Sequence, residues 1–553
     1  MSAQGLNVLL GGKPPEMEYV QFHKLSALVI DDISSMRHAI RAQLQSIGMN
    51  QVSVATNADE ALEKIKTSNF DLILCDYNLN KVSSGQHFLE YLRTEKLLDA
   101  TSIFVMLTAE AEYSFVANAV EFAPDDYLLK PCSENKLRSR LVRLIDRRAF
   151  LMPALLALNE RKFEQVIAIC DKLLTLSPDE RRRMDVLKRK AEAQFVLGQY
   201  AEVLETYAQA AATRSDVPWV ALGAARAHFE LKKYAEVADR AAILIEKHPN
   251  YVAAYELLAN ARLEMDEEEA AYELLQRSSD ILPSAKRFRS VAQSAYLLGK
   301  LEEAKSNAEA AIRLSNGSMV ERSGDYLSLS QAQVDMGDHA AAIQTLEKNA
   351  RKYGEEGIYG VAKCAILAQA YVASGDKERG SKLMARAVSL MGARKNSFVM
   401  TVMGKAALKV GDVALGLKLL TQSVQFSGKS EKRIARHVRK SMLDTGHQDK
   451  VEDVIDGGRK RILLLVEEAT RLMRSAHFSE AHEKLLSALD IHSENLEALL
   501  SAAQLHLLWL KQGGLDAEVL ARTKLYLSTL DRLLPSNQKV MNFYRYFNEI
   551  VGA

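Results

Sequence analysis

The segment LSALVIDD, residues 25–32, decides the fold of the first part of the chain. A short apolar run ends there in two adjacent aspartates, and a helical pattern follows. The same unit recurs four times, with apolar runs at residues 52–55, 72–75, 103–107 and 127–129. Short apolar runs without polar alternation are typical of strands that are buried on both faces. Repeated strand–helix units predict a five-stranded, doubly wound parallel sheet over residues 25–147, an α/β domain with helices on both faces.

Polar side chains stand where four of these runs end. They are Asp31 and Asp32 after the first run, Asp76 after the third, Thr108 after the fourth and Lys130 after the fifth. The carboxyl ends of parallel strands meet at one edge of a sheet, where ligands of such folds bind. We therefore expect these side chains to converge.

Three carboxylates at one edge are unstable without a counter-charge. Two unit charges 4 Å apart interact with about 4 kcal/mol at an effective dielectric constant of 20. A divalent cation removes this repulsion, and a few oxygen donors suit Mg²⁺, which keeps waters and accepts phosphate oxygens. The Lys130 ammonium and the Thr108 hydroxyl can hold the remaining phosphoryl oxygens. The pattern predicts a site for Mg²⁺ and a phosphoryl group.

With these residues in this order, the segment resembles the chemotaxis-type receiver domains of response regulators. Arg37 after the paired acids, the small Ala109 after Thr108, Tyr127 and the Lys130-Pro131 pair extend the match. The resemblance implies a flavodoxin-like fold and a signalling protein that is not an enzyme beyond phosphotransfer to its own aspartate. Its partner would be a histidine kinase or phosphotransfer protein.

The resemblance also assigns roles to single residues. Asp76 would accept the phosphoryl group, and Asp31, Asp32, Asp76 and the Asn78 carbonyl would position Mg²⁺. Thr108 and Tyr127 would be a switch pair, with Lys130 and Ala109 completing the phosphoryl-binding site. The Lys130–Pro131 bond would be cis. The loop of residues 77–85 departs from the family, because it lacks the usual methionine–proline pair and is about one residue longer.

After residue 147 the strand signal ends and an internal repeat begins. LGQYAEV at residues 197–203 recurs as LKKYAEV at residues 231–237, and Pro249 recurs as Pro283. Similar glycine-containing turns follow at residues 298–304, 336–338, 374–376 and 410–412, and a later unit stands at residues 476–481.

These units resemble tetratricopeptide repeats, in which small residues let two helices pack closely and aromatic side chains fill the gap. The nearest match to the opening of such a repeat is WVALG at residues 219–223. We therefore predict an all-α solenoid of helical hairpins over residues 148–553, with about nine to eleven repeats of ~34 residues. The register is least defined between residues 425 and 460.

Composition limits the other possibilities. Lys plus Arg number 72 and Asp plus Glu number 71, so no overall field draws the chain to nucleic acid or membrane. The four cysteines form no C-x-x-C pair, which argues against a metal knuckle or a disulfide framework and fits a cytoplasmic protein. Residues 1–24 are expected to be a lead-in segment without a signal sequence.

The groove of a helical repeat array typically binds peptides or partner helices. We expect an unknown protein partner there, controlled by phosphorylation of Asp76, and a homodimer is possible. Two alternatives stay open. A basic patch formed by Lys432, Arg433, Arg436, Arg439 and Lys440, followed by residues 459–461, could bind nucleic acid. The receiver could instead be a phosphate sink on an oligomerising array.

Overall fold

The structure is a computed structural model. It describes residues 20–79, 84–109, 124–318, 320–392, 396–427, 430–491, 495–514, 516–534 and 537–551, without the side chains of residues 459–461 and 532.

The first part is a five-stranded parallel sheet, as the sequence predicts. Its strand order is β2-β1-β3-β4-β5. The strands are β1 (Ser26–Ile30), β2 (Gln51–Ala55), β3 (Leu72–Asp76), β4 (Ile103–Thr108) and β5 (Asp126–Leu129), and the described helices between them are α1 (Ser34–Ser46), α2 (Ala58–Thr67) and α3 (Gly85–Thr94). A single 3-10 turn, Phe22–Lys24, precedes β1.

Alternate residues of each strand enter two separate cores. Ala27 and Val29 of β1 pack with residues of α1, whereas Leu28 and Ile30 pack with residues of α2 and α3. Both sets are fully buried. Helices therefore cover both faces of the sheet, and its carboxyl edge is left to carry polar side chains.

Helices make up the rest of the described chain. They are α4 (Glu134–Asn159), α5 (Phe163–Thr175), α6 (Glu180–Val196), α7 (Tyr200–Thr213), α8 (Pro218–Glu230), α9 (Tyr234–Lys247), α10 (Val252–Glu264), α11 (Glu268–Ile281), α12 (Ala285–Leu297), α13 (Leu301–Ser315), α14 (Ser323–Asp335), α15 (His339–Tyr353), α16 (Gly357–Ala373), α17 (Lys377–Met391), α18 (Ser397–Val410), α19 (Val413–Gln425), α20 (Glu431–Leu443), α21 (Val451–Arg474), α22 (Phe478–Ile491), α23 (Leu496–Gly513), α24 (Ala517–Leu533) and α25 (Gln538–Val551).

The 34-residue repeat appears as repeated contacts. Phe195 and Tyr200 meet edge to face with ring centroids 5.3 Å apart, and Phe229 and Tyr234 repeat this geometry at 5.2 Å. Small residues allow the close packing that the sequence predicts. A Cβ atom added to Gly223 would lie 2.2 Å from the Tyr207 ring, so any other residue would force that ring to move.

Two long helices each serve two cores. In α4, Leu137 and Leu141 belong to the core of the sheet, whereas Leu151 and Leu155 belong to the first core of the array. The predicted domain boundary at residues 147/148 lies inside this helix, so no loop connects sheet and array there. The boundaries of both domains stay predictions.

Helix α21 has the same double role in the stretch where the repeat register is least defined. Its beginning, with Val454 and Ile455, packs with α20, and its later residues Ile462 and Val466 pack with Leu485 of α22. One helix thus replaces a B helix and the following A helix.

By its contacts the chain divides into two compact units. One comprises Met1–Arg287 with Arg313–Glu321, and the other comprises Phe288–Ile312 with Arg322–Ala553. Among the described residues, no helix has both the length and the apolar character needed to span a bilayer.

Candidate functional site

The strand register brings the predicted polar residues to one edge of the sheet. Asp76 closes β3 and pairs with Leu107 of β4, and Thr108 pairs with Leu129 of β5. The backbone continues this alignment beyond the strands, because the Lys130 N–H donates to the Thr108 carbonyl at 2.7 Å. Asp31 follows β1, and its N–H donates to the Ala55 carbonyl of β2.

Three carboxylates meet at this edge. One side-chain oxygen from each of Asp31, Asp32 and Asp76 lies within 4.8 Å of the others. Asp31 is fully buried and Asp76 is nearly so, whereas Asp32 is exposed. The cluster is therefore open to solvent at Asp32.

Lys130 supplies the positive charge of the site. Its Nζ lies 2.6 Å from Asp31 Oδ2 and 2.8 Å from Asp76 Oδ1. Burial opposes the charge of this lysine, but the two carboxylates outweigh it and raise the pKa of Lys130. Burial, together with Asp31 and Asp32, outweighs Lys130 at Asp76 and raises the pKa of that carboxyl. One ammonium thus compensates only part of the negative charge.

The chain around the acids fixes their positions. The Ile33 N–H donates to Asp31 Oδ1 at 2.9 Å, and Arg37 Nη1 donates to the Asp31 carbonyl oxygen at 2.6 Å. Gly85 lies against the backbone of Asp76, where an added Cβ would be 2.2 Å from the Asp76 carbonyl oxygen. Sequence reasoning did not single out Gly85, although a glycine shortly after a strand-end aspartate is a recognisable signal of close backbone approach.

The other predicted residues surround this centre. Thr108 is buried at the end of β4, Ala109 is exposed directly after it, and Asn78 is exposed and forms a backbone bridge with Ser84. The Lys130–Pro131 bond is cis. Residues 80–83 of the long loop and residues 110–123, which follow Ala109, lie outside the described part of the chain.

Tyr127 packs inward against the core shared with α2 and α3. Its hydroxyl is buried and has no hydrogen-bond partner among the described residues. Burial raises the pKa of Tyr127, with a smaller contribution from Tyr77.

The donor set fits Mg²⁺. Carboxylate oxygens with an open side toward solvent are the ligands that Mg²⁺ accepts while it keeps several waters. The ion would be held by Asp31, Asp32 and Asp76 and would supply the missing positive charge. The short distances from Lys130 to two of these acids show that this cation takes up part of the same negative charge.

Comparison with known proteins defines the class of this region. The family model of the response regulator receiver domain matches residues 27–142. Chemotaxis protein CheY-3 of Vibrio cholerae is 27% identical over 131 residues, which cover 24% of this chain and 99% of the relative. Chemotaxis protein CheY of Pseudomonas aeruginosa is 26% identical over 123 residues, which cover 22% and 98%. Residues 27–142 are a response regulator receiver domain.

Solved structures resemble the two parts separately. Chemotaxis response regulator CheY4 of Vibrio cholerae is 28% identical, with a TM-score of 0.20, and covers 22% of this chain and 98% of its own. A tetratricopeptide repeat protein from Parabacteroides merdae is 14% identical, with a TM-score of 0.31, and covers 46% and 97%. The helical hairpins described above define the second part as a tetratricopeptide-like repeat array.

Proposed function

We propose that this chain is a two-component response regulator in which phosphorylation of Asp76 controls protein binding by the repeat array. The observation that carries the proposal is the geometry at Asp76, a nearly buried carboxylate that shares Lys130 with Asp31 and lies beside Asp32. A histidine kinase or phosphotransfer protein would be the phosphodonor.

The site supports a direct transfer between a phosphohistidine and Asp76. An Asp76 oxygen forms the new bond to phosphorus as the phosphorus–nitrogen bond breaks, and the electron pair returns to the imidazole. A proton on that ring keeps the leaving group neutral. Bound Mg²⁺ would neutralise the phosphoryl oxygens. Lys130 can follow the transferred group because its ammonium already contacts Asp76, and Thr108 stands beside it at the end of the neighbouring strand.

Tyr127 supplies the connection from this chemistry to the rest of the receiver. In receivers the aromatic residue at this position turns inward when the phosphoryl group is bound. Here the ring is inward and its hydroxyl has no partner among the described residues. A group that moves toward the phosphoryl site, such as Thr108, would therefore change the packing around Tyr127.

The array supports protein binding more than nucleic-acid binding. Within the predicted basic patch, Arg436 is buried, Lys440 pairs with Asp444, and Arg439 pairs with Glu452. Three of its cations are thus buried or neutralised in the folded array. Contacts to nucleic-acid phosphates would need these three side chains to be free. The patch therefore offers little of the positive potential that nucleic acid requires.

Replacement of the proposed phosphoacceptor tests the central claim. Asp76→Asn removes the only oxygen nucleophile of the proposal, so we expect no labelling by acetyl phosphate with Mg²⁺. Asp59→Asn is the matched control, because Asp59 is an exposed aspartate on α2. Label that is stable in acid, sensitive to hydroxylamine and still present in Asp76→Asn would refute the proposal.

A further inference from the structure

Helix α6, the first A helix after α4, carries a charged stripe. Asp185 and Glu192 each lie three or four positions from both Lys188 and Arg189, so the four residues share one face of the helix. Arg189 and Glu192 pair at 2.7 Å, and their side chains are 31% and 38% exposed. The stripe lies in the unit that also contains the receiver.

Receiver residues approach this stripe from the other side. Arg147 of α4 forms a bidentate ion pair with Asp185, through its Nε and Nη2 atoms. Arg93 of α3 lies near this stripe, where it is repelled by Arg189 and, to a smaller extent, attracted by Glu192. The pKa of the Arg189 guanidinium is raised mainly by Glu192. Asp125, just before β5, raises it further and is therefore close to Arg189.

The contact extends along α3 to a later repeat. Glu90 Oε1 lies 4.0 Å from Lys286 Nζ at the start of α12. Burial, with a smaller contribution from Arg287, lowers the pKa of His87, so this residue also lies near the start of α12. One receiver helix therefore reaches from the A helix of one hairpin to the A helix three hairpins further on. Helix α3 thus interacts with the first and the last of these four A helices, and the A helices line the surface on which such arrays bind partner helices.

A second set of polar contacts joins the receiver to the end of α4 and to α6. The Ala100 N–H donates to Asn159 Oδ1 at 2.8 Å, and Asn159 Nδ2 donates to Asp99 Oδ1 at 2.6 Å. Arg182 of α6 pairs with Asp146 at 2.8 Å. Since α4 is continuous from Glu134 to Asn159, these bonds fix the receiver against the first repeats.

We infer that the groove from α6 to the start of α12 is a helix-binding surface whose built-in ligand is receiver helix α3. An external partner would be a protein helix with the charge order of α3, an acid followed three residues later by a base, as in Glu90 and Arg93. The inference rests on the proposed function, because phosphorylation of Asp76 would release α3. Gly85, the first residue of α3, packs directly on the Asp76 carbonyl and links the two events.

Cross-linking in the full chain tests the intramolecular contact. Glu90→Cys with Lys286→Cys would be joined by a short bismaleimide, in a Cys132→Ser background because Cys132 is partly exposed and the other cysteines are buried. Acetyl phosphate with Mg²⁺ should reduce the yield about five-fold or more, the lower limit of ordinary allosteric coupling. Glu378→Cys with Lys382→Cys on α17 is the matched control, and its yield should not change.

The outcomes separate this inference from the proposed function. An unchanged yield while Asp76 becomes phosphorylated overturns the release of α3, leaves the phosphotransfer intact and favours the phosphate-sink alternative. No phosphorylation of Asp76 refutes the proposed function, and the inference falls with it. No cross-link in the unphosphorylated chain overturns the contact itself.

Charge exchange tests recognition. Arg93→Glu should lower the cross-linking yield without phosphorylation, because it places a carboxylate near both Asp125 and Glu192, and adding Glu192→Arg should restore the yield. A stapled helical peptide with glutamate and arginine three residues apart should bind the phosphorylated chain at least five-fold better than the peptide with these residues exchanged. Failure of the rescue, or equal binding of both peptides, contradicts the proposed charge order.

Discussion

The A helices of the first repeats and those of the central repeats present charged side chains in opposite ways. In α6 the charged stripe faces the receiver, where Arg147 pairs with Asp185 and Asp125 attracts Arg189. Arg93 is attracted by Glu192 but repelled by Arg189. In the central repeats the A helices neutralise one another, because Lys405 of α18 pairs with Asp335 and Asp444. Charges that are paired with another domain become available when that domain moves away. Charges that are paired within the array stay buried as long as the array is folded.

The central cluster is more deeply buried than the stripe on α6. The Lys405 side chain is 2% exposed, and its Nζ lies 2.7 Å from Asp335 Oδ2, 2.5 Å from Asp444 Oδ2 and 2.9 Å from the Tyr296 hydroxyl. Lys409 adds a second ammonium 2.9 Å from Asp335 Oδ1. Burial disfavours the charge of Asp335, but the two lysines outweigh it and hold the pKa of Asp335 at about 2.

This cluster joins helices that are far apart in sequence. Gln293 Nε2 of α12 lies 2.9 Å from His437 Nε2 of α20, and the Tyr296 ring stacks on His437 with centroids 6.3 Å apart. The A helices from α12 to α20 therefore converge on one polar centre. A partner helix could not enter this stretch without breaking buried ion pairs, which leaves the receiver-filled groove as the better binding surface.

Removal of the buried lysine should give the largest loss of stability. Lys405→Met leaves Asp335 with Lys409 alone and Asp444 with Lys440 alone, so the loss should approach but not exceed the cost of breaking a buried pair outright, about 3–5 kcal/mol. Hydrogen exchange of α14, α18 and α20 against urea concentration measures the loss. Lys382→Met, which breaks only the exposed pair with Glu378, should cost at most about 0.5 kcal/mol. A loss below 1 kcal/mol for Lys405→Met would mean that the central groove is not closed by these charges.

Acid should destabilise a third region, where neutral histidines fill the space between helices. Arg522 Nη1 donates to His482 Nε2 at 2.8 Å, so His482 Nδ1 carries the proton that it donates to His506 Nε2 at 3.0 Å. His506 is fully buried. Burial, then His482, lowers the pKa of His506 to about 4.

The sign of the pH effect follows from this lowered pKa. His506 binds a proton near pH 6.5 in the unfolded chain but only near pH 4 in the folded chain. The stability that the folded state gains from neutral His506 is therefore complete above pH 6.5 and is lost as the pH falls to 4. The loss for His506 is about 3 kcal/mol. Thermal unfolding of α22–α24 at pH 7 and pH 4.5 measures it, and His506→Gln should flatten the dependence. Equal pH dependence in wild type and variant would place the titration elsewhere.

Prediction from sequence succeeded where short motifs determine structure and stopped where distant helices meet. The run LILCD at residues 72–76 and its counterparts predict both the sheet and the edge at which the acids converge. The contact between Tyr296 and Lys405 joins residues more than a hundred positions apart, and no local pattern encodes it. Lys405 does leave a signal, because a lysine within the apolar stretch of residues 399–408 must find a buried partner.

The contact between α6 and the receiver was missed for a similar reason. A charged stripe on a helix is typical of solvent-exposed surface, and only the placement of the receiver turns it into a contact. The continuous helix α4 produces that placement. Its sequence also contains Pro153, which hides the continuity because proline usually marks a helix end.

The smallest effect concerns a feature that the two regions share, the turn between A and B helices. Gly337 in the central repeats has φ 88°, and Lys232 in the first repeats has φ 60°, so both turns need a left-handed residue. An added Cβ at Gly337 meets no atom within 4 Å. Backbone strain is therefore the whole cost of Gly337→Ala, which should lower the free energy of unfolding by about 1 kcal/mol.

Lys232→Gly should raise the free energy of unfolding by a similar amount, because glycine adopts this conformation without strain. Urea-dependent hydrogen exchange of α14 and α15 for the first variant, and of α8 and α9 for the second, measures both. If both substitutions destabilise the chain, side-chain contacts at Lys232 outweigh the backbone strain, and the turns of the two regions are not equivalent.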